Sequence, residues 1–421
     1  MRKSTTKTPM AQRCPEGFVL FVSLCLLFLK RRPMNTPRQL LTLLFLLSFS
    51  LSTIFPQSPP RARDLGLPFD GSPGTHNAIT DVQGVEVGHE TIISGEGKLV
   101  VGKGPVRTGV TVVFPKGKDY KDRVFAAWFS LNGNGEMTGT TWIEESGCLG
   151  SPILITNTHS VGTVRDAVIQ WNIARGGTDG YSGDISLPVV AETWDGFLND
   201  INGFHVKKEH VVQALESAKA GPVAEGNVGG GTGMTAHGFK GGIGTSSRKL
   251  DERSGGYTVG ALVQANYGSR QQFRILGVPV GTEITDLRPT PGKKDDGAGS
   301  IIVVLATDAP LLPHQLKRLA TRVALGVGTM GGRGENSSGD IFIAFSTANP
   351  EASKTDGVAQ LTMLPNERIN PIFWAAVDAV EEAIVNAMVA AKDMVGRDGN
   401  KVYALPHDRL LEVMKKYNRL D

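Results

Sequence analysis

Residues 295–308, DDGAGSIIVVLATD, constrain the fold more than any other stretch of the chain. Ile301, Ile302, Val303, Val304 and Leu305 form an unbroken run of strand-formers with no polar face. Such a run reads as a strand buried on both sides, so other layers must cover it above and below. The approach is the opposite in character: Asp295, Asp296, Gly297, Ala298 and Gly299 are small or charged, with Ser300 at the junction. Two glycines and an alanine admit backbone geometries that larger residues resist. The junction could therefore hold a strained peptide bond beside a hydroxyl. Taken alone, it is equally a loop entering a core strand.

The rest of the body supplies partners for that strand. Ile79–His89 alternates apolar and polar residues and is expected to be a first strand, turning at Gly84. Arg107–Pro115, Val124–Leu131, Pro152–Thr156, Leu187–Glu192, Tyr257–Asn266 and Asp340–Ser346 are further strand candidates. Val161, Val164, Val168 and Trp171 recur at helical spacing over 161–174, closed by Gly176 and Gly177. Helices are also expected over Lys208–Ala220, Leu312–Leu325, Pro371–Val395 and His407–Tyr417. Strands grouped with interposed helices point to a layered α+β or α/β architecture in one large domain.

Two glycine-rich stretches invite a nucleotide reading and fail it. Gly229, Gly231 and Gly233 lack the G-x-G-x-x-G spacing, and residues 226–244 hold no Walker-type G-x-x-x-x-G-K-[ST]. Gly326, Gly328 and Gly331 have the spacing but follow a helical pattern rather than a strand.

Charge divides the chain unevenly. Residues 1–57 carry eight Lys/Arg and one glutamate, a net +7 within a whole-chain +3, so the body is near −4. A mildly acidic body lacks the basic footprint of a nucleic-acid binder. Of Cys14, Cys25 and Cys148, only the last lies in the body, so no disulfide framework is available there. His159, His237 and His314 lack second ligands at metal-site spacing, and no metal or other cofactor is expected. At the N-terminus, Arg38, the leucine-rich run of residues 40–55 and the polar exit Pro56–Pro60 have the layout of a secretory signal. This suggests a start at Met34, cleavage between Ser52 and Pro60, and a secreted or periplasmic body spanning 58–421. An uncleaved anchor is the alternative, although the runs are short for a span of roughly 20 residues.

Several long motifs together resemble one family. They are ITDVQGVEVGH, LITNTHSVG, VVAETWDGFLNDING, GNVGGGTGM, HGFKGGIGTSSR, YTVGALVQANYG, GSIIVVLATDAPLLPHQ and NSSGDIFIAFSTAN, in this order over roughly residues 75–395. The chain resembles the self-processing L-aminopeptidase/D-amidase/D-esterase and β-peptidyl aminopeptidase family. The resemblance implies an αββα sandwich of the N-terminal-nucleophile type and self-cleavage between Gly299 and Ser300. It further implies that fragments 58–299 and 300–421 stay together as a heterodimer, assembling as a tetramer of heterodimers. Short peptides, amides and esters are the implied substrates.

The resemblance also assigns roles. Ser300 is the implied nucleophile, with Ser338 and Asp340 supporting it. Related β-peptidyl enzymes use glutamate at the position of Asp340, and Ser337 competes with Ser338. Asn266 matches the oxyanion donor, and Glu192 the carboxylate that holds the substrate amine. Trp194 would wall the pocket for the first side chain, or belong to the core. The chemistry is coherent: a serine hydroxyl needs a base, and a freed α-amine, with a pKa of about 7.7–8.0, is suited to that work. Two other readings remain: an acyltransferase using the same nucleophile, and a non-catalytic binding protein on the same fold.

Overall fold

The computed structural model describes residues 59–420, apart from 120–121, 178–185 and 292–298. The expected signal segment, Met34, Cys14 and Cys25, and Asp295–Ala298 lie outside the described residues.

In chain order the elements are β1 (Glu86–Ser94), β2 (Val106–Phe114), β3 (Val124–Gly133), α1 (Thr140–Ser146), β4 (Cys148–Leu149), β5 (Ile153–Asn157), α2 (Val161–Ala174), β6 (Val189–Thr193) and α3 (Lys208–Ser217). Then come β7 (Thr235–Ala236), β8 (Phe239–Lys240), β9 (Gly242–Lys249), β10 (Thr258–Asn266), α4 (Val280–Glu283), β11 (Ser300–Thr307), α5 (Pro313–Thr329), β12 (Gly339–Ser346) and α6 (Asn370–Val389). The chain closes with β13 (Met394–Val395), β14 (Lys401–Val402) and α7 (His407–Lys416).

Two sheets carry the fold. One has strand order β1-β2-β5-β6 and the other β4-β3-β12-β11-β10-β9. The period-2 alternation of β11 sorts its side chains into two cores. Ile301, Val303 and Leu305 pack with Leu316, Leu319 and Val323 of α5 and Ala376, Val380 and Ile384 of α6. Ile302 and Val304 face the other way, into a core shared with Ile153, Ile155, Val189 and Ala191 of the second sheet. That second sheet turns Val110, Val112, Leu154 and Val190 toward Val164 and Val168 of α2 and Val211 and Leu215 of α3. The result is the αββα sandwich, with β11 buried on both faces. At roughly 1.5–3 kcal/mol per fully buried aliphatic side chain, this central strand anchors the molecule.

Three of the departures from expectation stand out. Ile79–Asp81 is a 3-10 turn, and β1 begins at Glu86. The Asp81 carboxylate explains it by accepting from the Ala78 N–H (3.0 Å), the His76 N–H (2.9 Å) and the Ser247 hydroxyl (2.6 Å). A short acidic side chain that captures nearby amides favours a turn over a ladder. The second difference is β9, a full eight-residue strand that starts in the glycine-rich stretch and runs on to Lys249. A Cβ at Gly244 would lie 2.0 Å from the Ala383 carbonyl of α6, so the close helix approach excludes the side chain that would have shown the strand period. The third is α6, which ends at Val389 rather than Val395.

Candidate active site

The six-stranded sheet places three residues in one row. In the antiparallel pairing of β10 with β11, Asn266 is opposite Ser300. In the parallel pairing of β11 with β12, Ser300 is opposite Gly339. Ser300 is thus the first residue of the central strand, flanked by the last residue of one neighbour and the first of the other. It is buried, and its hydroxyl donates to the Gly299 carbonyl at 2.7 Å. The same carbonyl accepts from the Gly339 N–H at 3.1 Å. Gly299 itself has no room for a side chain, because a Cβ would meet the Asn266 carbonyl at 2.0 Å.

The Asn266 carboxamide is fixed at both ends. Its Oδ1 accepts from the Thr235 N–H at 2.9 Å, and its Nδ2 donates to the Trp194 carbonyl at 2.9 Å. These partners define which end is nitrogen and leave Nδ2 one further hydrogen to donate. On the other flank, the Ser338 hydroxyl donates to Asp340 Oδ1 at 2.7 Å, and Asn132 Nδ2 donates to Oδ2 at 3.2 Å. Burial pushes the Asp340 carboxyl above the usual aspartate range, while the Ser338 and Asn132 hydrogen bonds pull it back. Of the two adjacent serines, Ser337 is exposed and Ser338 is the one bonded to the carboxylate.

Glu192 and Trp194 arrive from the other sheet, at the end of β6. Glu192 is only 2% exposed. It accepts from the Thr158 hydroxyl and from the Glu136 N–H at 3.1 Å. Burial raises its carboxyl above the ordinary glutamate range, and those hydrogen bonds oppose the rise. Gly135 links it to the row: a Cβ there would lie 3.0 Å from Gly339 Cα and 3.2 Å from Glu192 Oε1. The carboxylate therefore stands one glycine's width from the backbone opposite Ser300. Trp194 is 43% exposed, with its indole over Gly196. Ser300, Asn266, Ser338, Asp340, Glu192 and Gly299 thus lie at the ends of β6, β10, β11 and β12, and Trp194 joins them through its backbone carbonyl.

The sequence matches the profile of peptidase family S58 over residues 77–402. The chain belongs to this family. It is 55% identical over 373 residues to a β-peptidyl aminopeptidase of Sphingosinicella microcystinivorans, covering 86% of this chain and 93% of the relative. Among solved structures, the L-aminopeptidase D-Ala-esterase/amidase of Ochrobactrum anthropi, described as a variant of the Ntn hydrolase fold, superposes with a TM-score of 0.79 at 49% identity. That match covers 86% of this chain and all of the other. A β-aminopeptidase from Burkholderia sp. gives 0.76 at 49% identity, covering 85% and 99%. The protein is a serine-type aminopeptidase with the Ntn hydrolase fold.

Within this S58 aminopeptidase, sequence reasoning missed the residues that hold the expected ones in place. Thr158, Asn132, Thr235 and the Gly135–Glu136 backbone make the contacts, yet none carries a catalytic signature. Thr158 falls inside the LITNTHSVG motif and Thr235 directly after GNVGGGTGM, so the extent of the motifs was the available signal. Of the three histidines set aside as structural, His237 is buried between Tyr267 and Phe273, with ring centroids 4.8 and 4.7 Å away. His159 stacks on Phe204.

Proposed function

We propose that Ser300 is an N-terminal nucleophile released by self-cleavage of the Gly299–Ser300 bond, and that the enzyme then removes N-terminal residues from short peptides. The supporting observation is the row Asn266–Ser300–Gly339, with Glu192 beside it. In the first step Ser300 Oγ attacks the Gly299 carbonyl carbon, and its proton passes to the departing Ser300 nitrogen. The resulting ester is hydrolysed by water, freeing the Gly299 carboxylate and the Ser300 amine. In turnover that amine takes the Oγ proton as Oγ attacks the substrate carbonyl, then returns it to the leaving amine. Asn266 Nδ2 donates its remaining hydrogen to the oxyanion, a contribution of about 3–4 kcal/mol. Ser338 and Asp340 hold the hydroxyl side of the site. Water then releases the acyl group.

Glu192 binds the substrate ammonium, which restricts the enzyme to free N-termini. Trp194 walls the first residue's pocket, and the high identity to a β-peptidyl aminopeptidase supports β-amino-acid-capped peptides as substrates. Amino-acid amides and esters follow from the same acyl chemistry. Fragments 58–299 and 300–421 remain associated as a heterodimer within a larger oligomer, and the basic, leucine-rich segment before Pro56 directs export. No cofactor enters the scheme.

Intact mass with denaturing electrophoresis tests the reading. Wild-type protein should give two fragments dividing at Gly299/Ser300, and Ser300→Ala one uncut, inactive chain. Active wild-type protein with a continuous backbone at that bond would overturn it.

A further inference from the structure

Asn266 is aimed by two backbone groups, and each adjoins a buried ionisable side chain that the scheme above leaves without a task. Thr235, whose N–H holds Oδ1, follows Met234. The Met234 carbonyl accepts from Lys240 Nζ at 2.8 Å, and the same ammonium donates to the carbonyls of Gly241 (2.9 Å) and Gly231 (3.3 Å). Lys240 is fully buried. All three of its protons are committed to backbone oxygens of one segment, residues 231–241, that contains Thr235.

Trp194, whose carbonyl holds Nδ2, precedes Asp195. This aspartate is also fully buried. Its Oδ1 accepts from Asn199 Nδ2 at 3.0 Å, and the Thr108 side chain also acts on its carboxylate. A Cβ on Gly233 would lie 2.8 Å from Asp195 Cβ, so the aspartate packs against the same turn that Lys240 ties together. Burial lowers Lys240 to about 7, and the Asp195 charge acts against that fall. Burial likewise raises Asp195 to about 7.

A buried lysine whose whole donor set goes to three carbonyls ties one buried turn together. Here the turn delivers the N–H that orients an oxyanion donor. We propose that Lys240 is a positioning residue for Asn266: it fixes the 231–241 turn and so sets where the carboxamide points during acylation. The proposal rests on the reading of Asn266 as oxyanion donor. Without the ammonium, the Met234 and Gly231 carbonyls keep only their backbone donors, the Gly241 N–H (3.0 Å) and the Met234 N–H (3.3 Å), and the turn loses the charge-assisted contacts that tie it together in a dry interior. A displacement of about 1 Å in a donor can reduce rate about a hundredfold.

The test is a double-mutant cycle on kcat and KM with a β-alanyl chromogenic amide, using the purified full chain. Lys240→Met should lower kcat by about 10–100-fold with KM within about twofold, since the substrate ammonium is held elsewhere, by Glu192. In an Asn266→Ala background the same substitution should produce no further loss, because its effect passes through the carboxamide. Lys240→Gln, which retains donors for some of the carbonyls, should fall between, and carries the same comparison if the methionine variant does not fold. Equal losses in both backgrounds, or wild-type kcat in Lys240→Met, would overturn the proposal. The Ser300 reading is decided separately, by the mass of the wild-type fragments, and the same mass measurement on each variant lets kcat be taken per cut chain.

Discussion

Glu382 and Glu192 are both buried glutamates, and the difference in their company separates scaffold from site. Glu382, on α6, is ringed by cations. Arg63 Nε lies 3.0 Å away and Arg248 Nη2 2.8 Å away, and Asn77 Nδ2 donates at 2.5 Å. Glu192 has only neutral hydrogen-bond donors, Thr158 and the Glu136 N–H; among the described residues no ion pair reaches it, and the charge of His159 is the smallest influence on its carboxyl. A buried carboxylate with two guanidiniums is complete as it stands. One with two hydrogen bonds and no counter-ion is favourable for folding only when protonated, unless a cation arrives from outside. On the reading proposed above, the substrate's ammonium is such a cation.

The contrast can be broken first at Glu382, where the largest effect is expected. Glu382→Ala removes the anion between two guanidiniums, leaving Arg248 buried and unpaired. Breaking a buried pair this way costs about 3–5 kcal/mol, to be read as a lowered midpoint in urea denaturation. Arg63 also tethers the segment ahead of β1 to α6, so that segment should become protease-sensitive. A midpoint within error of wild type would show that the cluster does not hold the arm.

Glu192→Gln should do the reverse. The native carboxyl is raised above its unfolded value, so its ionisation opposes folding, and that penalty sets in as pH rises through the raised value. At neutral pH the amide should therefore leave stability unchanged or higher. Its cost should appear in binding. Losing a charge-assisted contact worth roughly 1.5–3 kcal/mol predicts a KM about 10–150-fold higher for substrates with a free amine. An analogue lacking the amine should not distinguish variant from wild type. A destabilised Glu192→Gln with unaltered KM would erase the distinction drawn between the two glutamates.

The two glutamates also show what the sequence could and could not disclose. Strand β11 was legible because apolar residues on both faces leave a continuous run, and α2 because Val161, Val164, Val168 and Trp171 keep helical spacing to its last residue. Ser300, Asn266, Glu192, Ser338 and Asp340 were legible as positions in long motifs; the register of the six-stranded sheet aligns Asn266, Ser300 and the start of β12, and Glu192 reaches them from the other sheet past Gly135. β9 was hidden because close packing against α6 requires glycine where a periodic side chain would stand. Glu382 was hidden for another reason. Its partners are 134 to 319 residues away in sequence, at Arg248, Asn77 and Arg63, and nothing local marks an alanine-rich helix's glutamate as buried. Lys240 and Asp195 escaped likewise, since local composition marks lysine and aspartate as surface residues.

A finer probe uses pH. Glu192 must be ionised to hold an ammonium, and burial raises its carboxyl above the ordinary value of about 4.3. KM should therefore climb as pH falls through that raised value, earlier on the acid side than an exposed glutamate would allow. In Glu192→Gln this climb should vanish, while any acid loss of kcat due to Asp340, whose carboxyl burial also raises, persists. A climb in KM that survives the substitution would assign ammonium binding to another group.

The smallest expected effect is the most discriminating. Thr158→Val keeps the shape of the side chain and deletes the hydroxyl that donates to Glu192 Oε2. That bond lowers the carboxyl against the effect of burial. Without it the acid-side climb in KM should move to higher pH, and kcat/KM at neutral pH should fall by about 2–10-fold, the range of one hydrogen bond worth roughly 0.5–1.5 kcal/mol. The direction follows from the missing counter-ion: with a cation in contact, as at Glu382, loss of a single neutral donor would barely move the titration. Thr158→Val thus measures how far Glu192 depends on neutral donors before substrate binds. If the limb stays in place, a charge already compensates Glu192 in the free enzyme, and its carboxylate is scaffold after all.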